Sequence, residues 1–311
     1  MKKIKDFLAN DSFHGLLLVK HVTTGTTNKS SPYVSLILQD DSGEIEAKIW
    51  DVRPSQLDVC IVGTIVEIEA DIIKYQDKNQ LKIRTIKAID QSNLELEQFA
   101  PHSKKDKETM GKELNGFIQQ IKDPILKKVV ITYLEKVGSD FLIYPAAQKN
   151  HHEYLGGLAS HTLEMLNLAK NICDLYAFLN RDLIYSGILV HDIAKIEEYT
   201  NPILVEYSKE GRLLGHISLA QAAIYQIAHE LKLEGYEQIL LLRHIVLSHH
   251  GKLEFGSPVL PMIAEAEVIN LIDNISARMN MFEKYLNVLE AGSFSGKVFS
   301  LENRNIYKPS L

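Results

Sequence analysis

Seven side chains in the second half of the chain have the types that hold and activate metal-bound water. They are His161, the adjacent pair His191-Asp192, His216, the adjacent pair His249-His250, and Asp273. Imidazole and carboxylate suit Mn²⁺, Fe²⁺ and Zn²⁺, and one carboxylate can bridge two ions. The surroundings sharpen this. His191 and Asp192 stand within Ile188-Leu189-Val190-His191-Asp192-Ile193-Ala194-Lys195, and Asp273 stands within Val268-Ile269-Asn270-Leu271-Ile272-Asp273-Asn274-Ile275. A His-Asp pair buried in such apolar stretches needs partners, and a metal supplies them. Lys195 lies a helical turn beyond the pair and reads either as a phosphate-neutralising catalytic group or as a surface lysine. His229 and His244 lack acidic company and read as core or surface histidines.

Helices must position these groups. Apolar residues recur at spacings of three and four over 110–138, 158–180, 181–198, 214–233, 236–249 and 261–290. Ser160 is expected to cap a helix with His161 in its first turn, and His191-Asp192 to lie mid-helix. Adjacent helical residues diverge by about 100°, so both reach one site only along a shared edge. His216 follows Gly215 at a helix start, and His249-His250 end a helix before Gly251. The result is a helical cup with ligands pointing inward. Leu204 to Tyr207 reads as a small β-turn insert.

The first part of the chain has another period. Five short runs, 16–19, 33–38, 44–50, 63–70 and 81–86, are rich in β-branched residues and separated by turn chemistry such as Asp40-Asp41-Ser42-Gly43. Thr23 to Ser31 reads as the first loop and Lys74 to Asn79 as the last. Five strands with a longer gap before the fourth outline an OB-fold barrel. Such barrels bind single strands with aromatic platforms and basic groups. Tyr33, Trp50 and Tyr75 are the stacking candidates, and Lys48, Lys74, Lys78, Lys82 and Arg84 the phosphate contacts. Alternation leaves open whether Trp50 faces the core or solvent. Residues 1–98 hold 12 Lys+Arg against 15 Asp+Glu, but 74–87 hold five bases and one acid. The domains expected are therefore 1–98 as the OB-fold, 99–120 as linker and leading helix, and 121–311 as the all-α metal-binding domain.

Composition works by exclusion. With 311 residues, 45% hydrophobic and 24% charged, the chain has the make-up of a two-domain globular protein. No apolar run approaches the roughly 20 residues that span a bilayer, so no membrane partner is expected. The start of the chain lacks the apolar stretch of a signal peptide. Cys60 and Cys173 are far apart and read as buried thiols, which with the other signs predicts a cytoplasmic protein. A net charge of −6 leaves nucleic-acid binding to a local patch.

The ordered set His…His-Asp…Asp resembles the HD superfamily of metal-dependent phosphohydrolases, and His216 and His249-His250 resemble the extra ligands of its two-metal members. The segment His151-His152-Glu153-Tyr154-Leu155-Gly156-Gly157-Leu158-Ala159-Ser160-His161-Thr162 looks like the approach to the catalytic helix in one branch of it. An OB-fold joined to such a domain resembles the YhaM family of bacterial 3′→5′ exoribonucleases. The resemblance implies degradation of single-stranded RNA, with single-stranded DNA as a second substrate, to nucleoside monophosphates. It implies two divalent ions, Mn²⁺ first and Fe²⁺, Co²⁺, Zn²⁺ or Mg²⁺ as alternatives. His161, His191, Asp192 and Asp273 would hold the first ion, and Asp192 would bridge to a second on His216, His249 and His250. Lys195 and the main chain near Gly156-Gly157 would contact phosphate. His151 and His152 read as substrate contacts, a leaving-group acid or plain loop histidines. A homo-oligomer is compatible with all of this. The competing readings are an HD-type nucleotidase or cyclic-nucleotide phosphodiesterase, and a single-strand-binding protein with an inactive HD scaffold.

Overall fold

A computed structural model describes residues 2–27, 30–92, 94–148 and 152–311. The chain divides into two compact units, Met1–His102 and Ser103–Leu311.

The first unit is a closed five-stranded barrel. Its strands are β1 (Ser12–Thr26), β2 (Pro32–Asp40), β3 (Gly43–Trp50), β4 (Ile65–Tyr75) and β5 (Lys78–Ala88), with a short helix α1 (Pro54–Leu57) in the gap before β4. They close in the order β1-β2-β3-β5-β4, with β3 and β5 parallel, which is the OB-fold topology. Alternation selects the inner face: Val34, Leu36 and Leu38 of β2, Ile45, Ala47 and Ile49 of β3, and Ile68, Ala70 and Ile72 of β4 are buried. Two loops are shorter than the sequence predicts. β1 runs through Thr26, because its Thr-rich end pairs with β2 after a register shift between Val19 and His21. The β4–β5 hairpin turns on Gln76-Asp77 alone, both at positive φ, as a two-residue turn requires. Asp40 stabilises the β2–β3 turn by accepting from the Ser42 and Gly43 N–H groups at 2.7 and 3.1 Å.

The second unit is a helical bundle: α2 (Lys107–Gln120), α3 (Pro124–Val137), α4 (Gly157–Leu175), α5 (Arg181–Val190), α6 (Lys195–Glu198), α7 (Lys209–Glu230), α8 (Glu237–Ser248) and α9 (Ala264–Val288). Asp123 and Pro124 break the predicted 110–138 helix, Asp123 accepting from the Ile125 and Leu126 N–H groups. The linker expected at 99–120 is shared out. Phe99 and Ala100 are buried in the first unit, and Gln39 Nε2 donates to the Phe99 carbonyl. α2 instead puts Met110, Leu114 and Phe117 into the helical core. A C-terminal hairpin that the sequence reading did not anticipate, β6 (Phe294–Val298) and β7 (Arg304–Tyr307), packs Val298 and Ile306 with Met281 of α9. The 204–207 insert closes on an antiparallel bridge between Tyr199 and Tyr207. Among the described residues, no helix is long and apolar enough to cross a membrane. Cys60 and Cys173 are buried free thiols.

Candidate metal centre

The local chain differs from expectation at two ligands. Gly156, in the left-handed region at φ 75°, caps α4, so Ser160 is not the cap and His161 falls in the second turn. His191 and Asp192 are not mid-helix: α5 ends at Val190, His191 is its C-cap, and α6 starts at Lys195. That break lets two adjacent side chains reach one site despite their helical divergence. His216 follows a kink at Gly215 (φ 71°, ψ 156°) inside α7, His249 is the C-cap of α8, and Asp273 lies within α9.

All seven groups converge, and Asp192 is their centre. Its Oδ2 lies 3.3 Å from His191 Nε2 and 3.8 Å from His161 Nε2, while Oδ1 lies 3.4 Å from His216 Nε2 and 3.7 Å from His249 Nε2. His161 Nε2 is also 3.2 Å from Asp273 Oδ1. Two groupings with metal-ligand spacing result, His161-His191-Asp192 and Asp192-His216-His249-His250, sharing Asp192. Asp273 joins the first through His161.

The hydrogen bonds around the imidazoles decide what they can do. Nδ1 of His191, His249 and His250 donates to the carbonyls of Ile188, Val246 and Phe255 at 2.7–2.8 Å, and Nδ1 of His216 faces Glu198 Oε1 at 3.1 Å. With that nitrogen protonated, Nε2 keeps its lone pair and points inward. Nε2 of His191, His216 and His249, and Asp192 Oδ1, are buried without a hydrogen-bond partner, and Nε2 of His161 is turned to Asp273 Oδ1. Buried lone pairs crowded on lone pairs fit a cation. Burial lowers the pKa of His161, His216 and His249, and burial with the neighbouring His249 takes His250 down to about 4. At Asp192 burial works the other way, but Lys195 and His191 outweigh it and hold the carboxyl well below its ordinary range. His191 is raised, since Asp192 overcomes its burial.

Lys195 is buried, not a surface lysine, with Nζ 2.7 Å from Asp192 Oδ2. The main chain at Gly156-Gly157 offers phosphate nothing: its N–H groups donate to the carbonyls of Ile143 and Tyr154. His151 lies outside the described residues. His152 is fully buried behind His161, not in a loop open to substrate. His229 is exposed, and His244 Nε2 accepts from the Met262 N–H; neither joins the centre. The sequence reading passed over Glu198, Ser276, Glu164 and Asn270. Three of these stand three residues from a ligand on the same helix face, Glu164 from His161, and Asn270 and Ser276 from Asp273, a spacing visible in the sequence.

On the barrel, the expected contacts gather on the outer face. Lys48 Nζ lies 5.3–5.7 Å from the ring centres of Tyr33, Trp50 and Tyr75. Register puts Tyr33 opposite Trp50 and Lys48 opposite Lys82. Trp50 is 43% exposed, which settles its face. Lys78 and Lys82 are exposed too, while Arg84 is paired with Asp71 at 3.4 Å and Lys74 lies 3.9 Å from Asp77.

An OB-fold barrel and a helical unit built around a His/Asp centre define the class, and the description "HD domain" matches residues 158–278, which hold all seven groups. The chain is 43% identical to the 3′-5′ exoribonuclease YhaM of Bacillus pumilus and 41% identical to that of Bacillus subtilis. Each alignment covers 94% of both chains. The chain belongs to the YhaM family.

Proposed function

We propose that this protein is a metal-dependent 3′→5′ exoribonuclease that trims single-stranded RNA to nucleoside monophosphates, with single-stranded DNA as a second substrate. The observation that carries the mechanism is Asp192, whose two oxygens face two different sets of inward imidazole nitrogens. His161, His191, Asp192 and Asp273 would hold one divalent ion, and Asp192, His216, His249 and His250 a second. Mn²⁺ suits this mixture of imidazole and carboxylate. When bound, such a pair supplies an activated water and charge for the developing oxyanions of an in-line displacement.

The chain's own residues do the rest. The outward hydrogen bonds of the imidazoles fix each ring before substrate arrives. Lys195, buried against Asp192, places a positive charge where an anionic phosphodiester must come. Its pKa is raised because Asp192 overcomes the effect of burial, so it stays an ammonium. Tyr33, Trp50 and Tyr75 offer sequence-tolerant stacking faces, and Lys48, Lys78 and Lys82 offer phosphate contacts. A mononucleotide or cyclic nucleotide would have no use for that surface, and a purely structural scaffold would have no use for the complete donor set.

The test is to incubate the full chain and Mn²⁺ with 5′-labelled single-stranded RNA, a cyclic nucleotide and a dNTP. The RNA alone should shorten progressively from its 3′ end, and chelation should stop it. Turnover of the cyclic nucleotide or dNTP with intact RNA would overturn the reading.

A further inference from the structure

The outward bond of His161 differs from those of its neighbours. His191, His249 and His250 bond through Nδ1 to main-chain carbonyls, which only accept, so their tautomer is fixed. His161 Nδ1 faces the hydroxyl of Ser276 at 3.0 Å, and a hydroxyl can donate or accept. Something must orient that hydroxyl. Glu164 Oε2 lies 2.8 Å from Ser276 Oγ, and a carboxylate can only accept. The Ser276 proton therefore points at Glu164 and its lone pair faces His161, which draws the His161 proton to Nδ1 against the pull of Asp273 Oδ1, 3.2 Å from Nε2.

His152 completes the group. Its Nε2 lies 3.3 Å from Ser276 Oγ and 3.4 Å from Glu164 Oε2, and its Nδ1 pairs with the Tyr154 hydroxyl at 2.9 Å. The chain takes a disfavoured conformation to put it there. His152 is buried at φ 45°, in a region that residues with a Cβ rarely adopt. Its N–H donates to Asn280 Oδ1 at 2.8 Å, and its carbonyl accepts from the Ala146 N–H. A Cβ on Gly157 would come within 2.0 Å of that carbonyl oxygen, so glycine is required at this position. Strain of this kind persists where the surroundings over-determine it, often beside functional groups.

We propose that Glu164, Ser276 and His152 are positioning residues that hold His161 as the Nδ1–H tautomer, so that its Nε2 lone pair faces the first metal position. The proposal rests on the metal-centre reading above. Ser276→Ala removes the oriented acceptor. Glu164→Gln keeps the volume but can donate to Ser276, which frees the hydroxyl to donate to His161.

Mn²⁺ titration of the full chain by calorimetry tests it. Both variants should lose about 10–100-fold in affinity at one site and leave the other unchanged. Ser276→Thr, which keeps the hydroxyl, should bind like the wild type. Long-range ¹H–¹⁵N imidazole spectra of the metal-free protein should show His161 shifting from the Nδ1–H toward the Nε2–H form in Ser276→Ala, with His191 and His249 unmoved. Wild-type Mn²⁺ constants in both variants, or an unchanged His161 tautomer, would overturn the proposal. An equal weakening of both sites would also overturn it, as the mark of a general structural role. Asp192→Asn separates the two readings. If it loses Mn²⁺ while Ser276→Ala does not, only the positioning role fails; if the wild type binds no Mn²⁺, the metal centre itself fails.

Discussion

Replacing Asp192 with Asn tests the centre at the point where its forces meet. The substitution preserves volume and removes one negative charge. In metal-free protein that charge is the partner of Lys195, 2.7 Å away and equally buried. Breaking one side of a buried pair costs about 3–5 kcal/mol, because the remaining ion is stranded. A domain of this size shifts by roughly 2–4 °C per kcal/mol, so the helical unit should melt about 6–20 °C lower. Lys195→Met added to Asp192→Asn removes the stranded charge and should restore most of the loss.

Metal reverses the comparison. At a concentration about 100 times its dissociation constant, one ion adds about 2.7 kcal/mol to the wild type. Asp192→Asn, having lost the shared ligand of both groupings, should show no such gain. Ellipticity at 222 nm, followed on heating in chelator and again in Mn²⁺, reads both effects, and elemental analysis counts the ions. Asp192→Asn melting with the wild type in chelator, or retaining two equivalents of Mn²⁺, would refute the reasoning.

Changing His249 and His250 together to Ala should lower bound metal from two equivalents toward one and reduce turnover by orders of magnitude. Unchanged stoichiometry by elemental analysis would leave these rings as mere helix-end groups. Trp50→Ala should weaken binding of long single strands by about 1–3 kcal/mol, the usual worth of one stacked base, and raise KM more than it lowers kcat. Lys82→Ala should flatten the salt dependence of that binding, measured by fluorescence anisotropy. In chelator, Tm should fall as the pH drops from about 6.5, where an unfolded histidine titrates, to about 4, the folded value of His250. The buried His161, His216, His249 and His250 bind protons less readily folded than unfolded, so acid favours the unfolded chain, with the raised His191 opposing. A flat or rising Tm on acidification would contradict this.

The sequence revealed whatever broke a pattern. Asp192 and Asp273 stood out because carboxylates are foreign to runs of Ile, Leu and Val, and the barrel because its β-branched residues alternate. What stayed hidden kept to a pattern or depended on distant contacts. The end of β1 read as a loop because Thr23, Thr24 and Thr26 are polar, and only pairing with β2 reveals them as strand. The break after Val190 left no mark, since Ile193 and Ala194 continue the apolar run and are themselves buried. Glu198 only closed the helical run 181–198 until the kink at Gly215 delivered His216 to it. Asn270, Ser276 and Asn280 form with Asp273 a polar stripe along α9, yet each alone is an ordinary helix residue. Their partners, the His249 carbonyl, His161 and the His152 N–H, come from elsewhere in the chain.

That stripe has a consequence for biosynthesis. A chain emerging from the ribosome as far as His250, just beyond α8, already carries every imidazole of the centre and Asp192. It lacks Asp273, the serine that orients His161, and the asparagine that holds the His249 carbonyl. It also lacks the apolar face of α9, whose Ile269 and Ile272 belong to the helical core. Synthesis proceeds from the N-terminus, so the donors wait, unassembled, for the helix that orders them. In this order the centre is complete only once α9 has been translated.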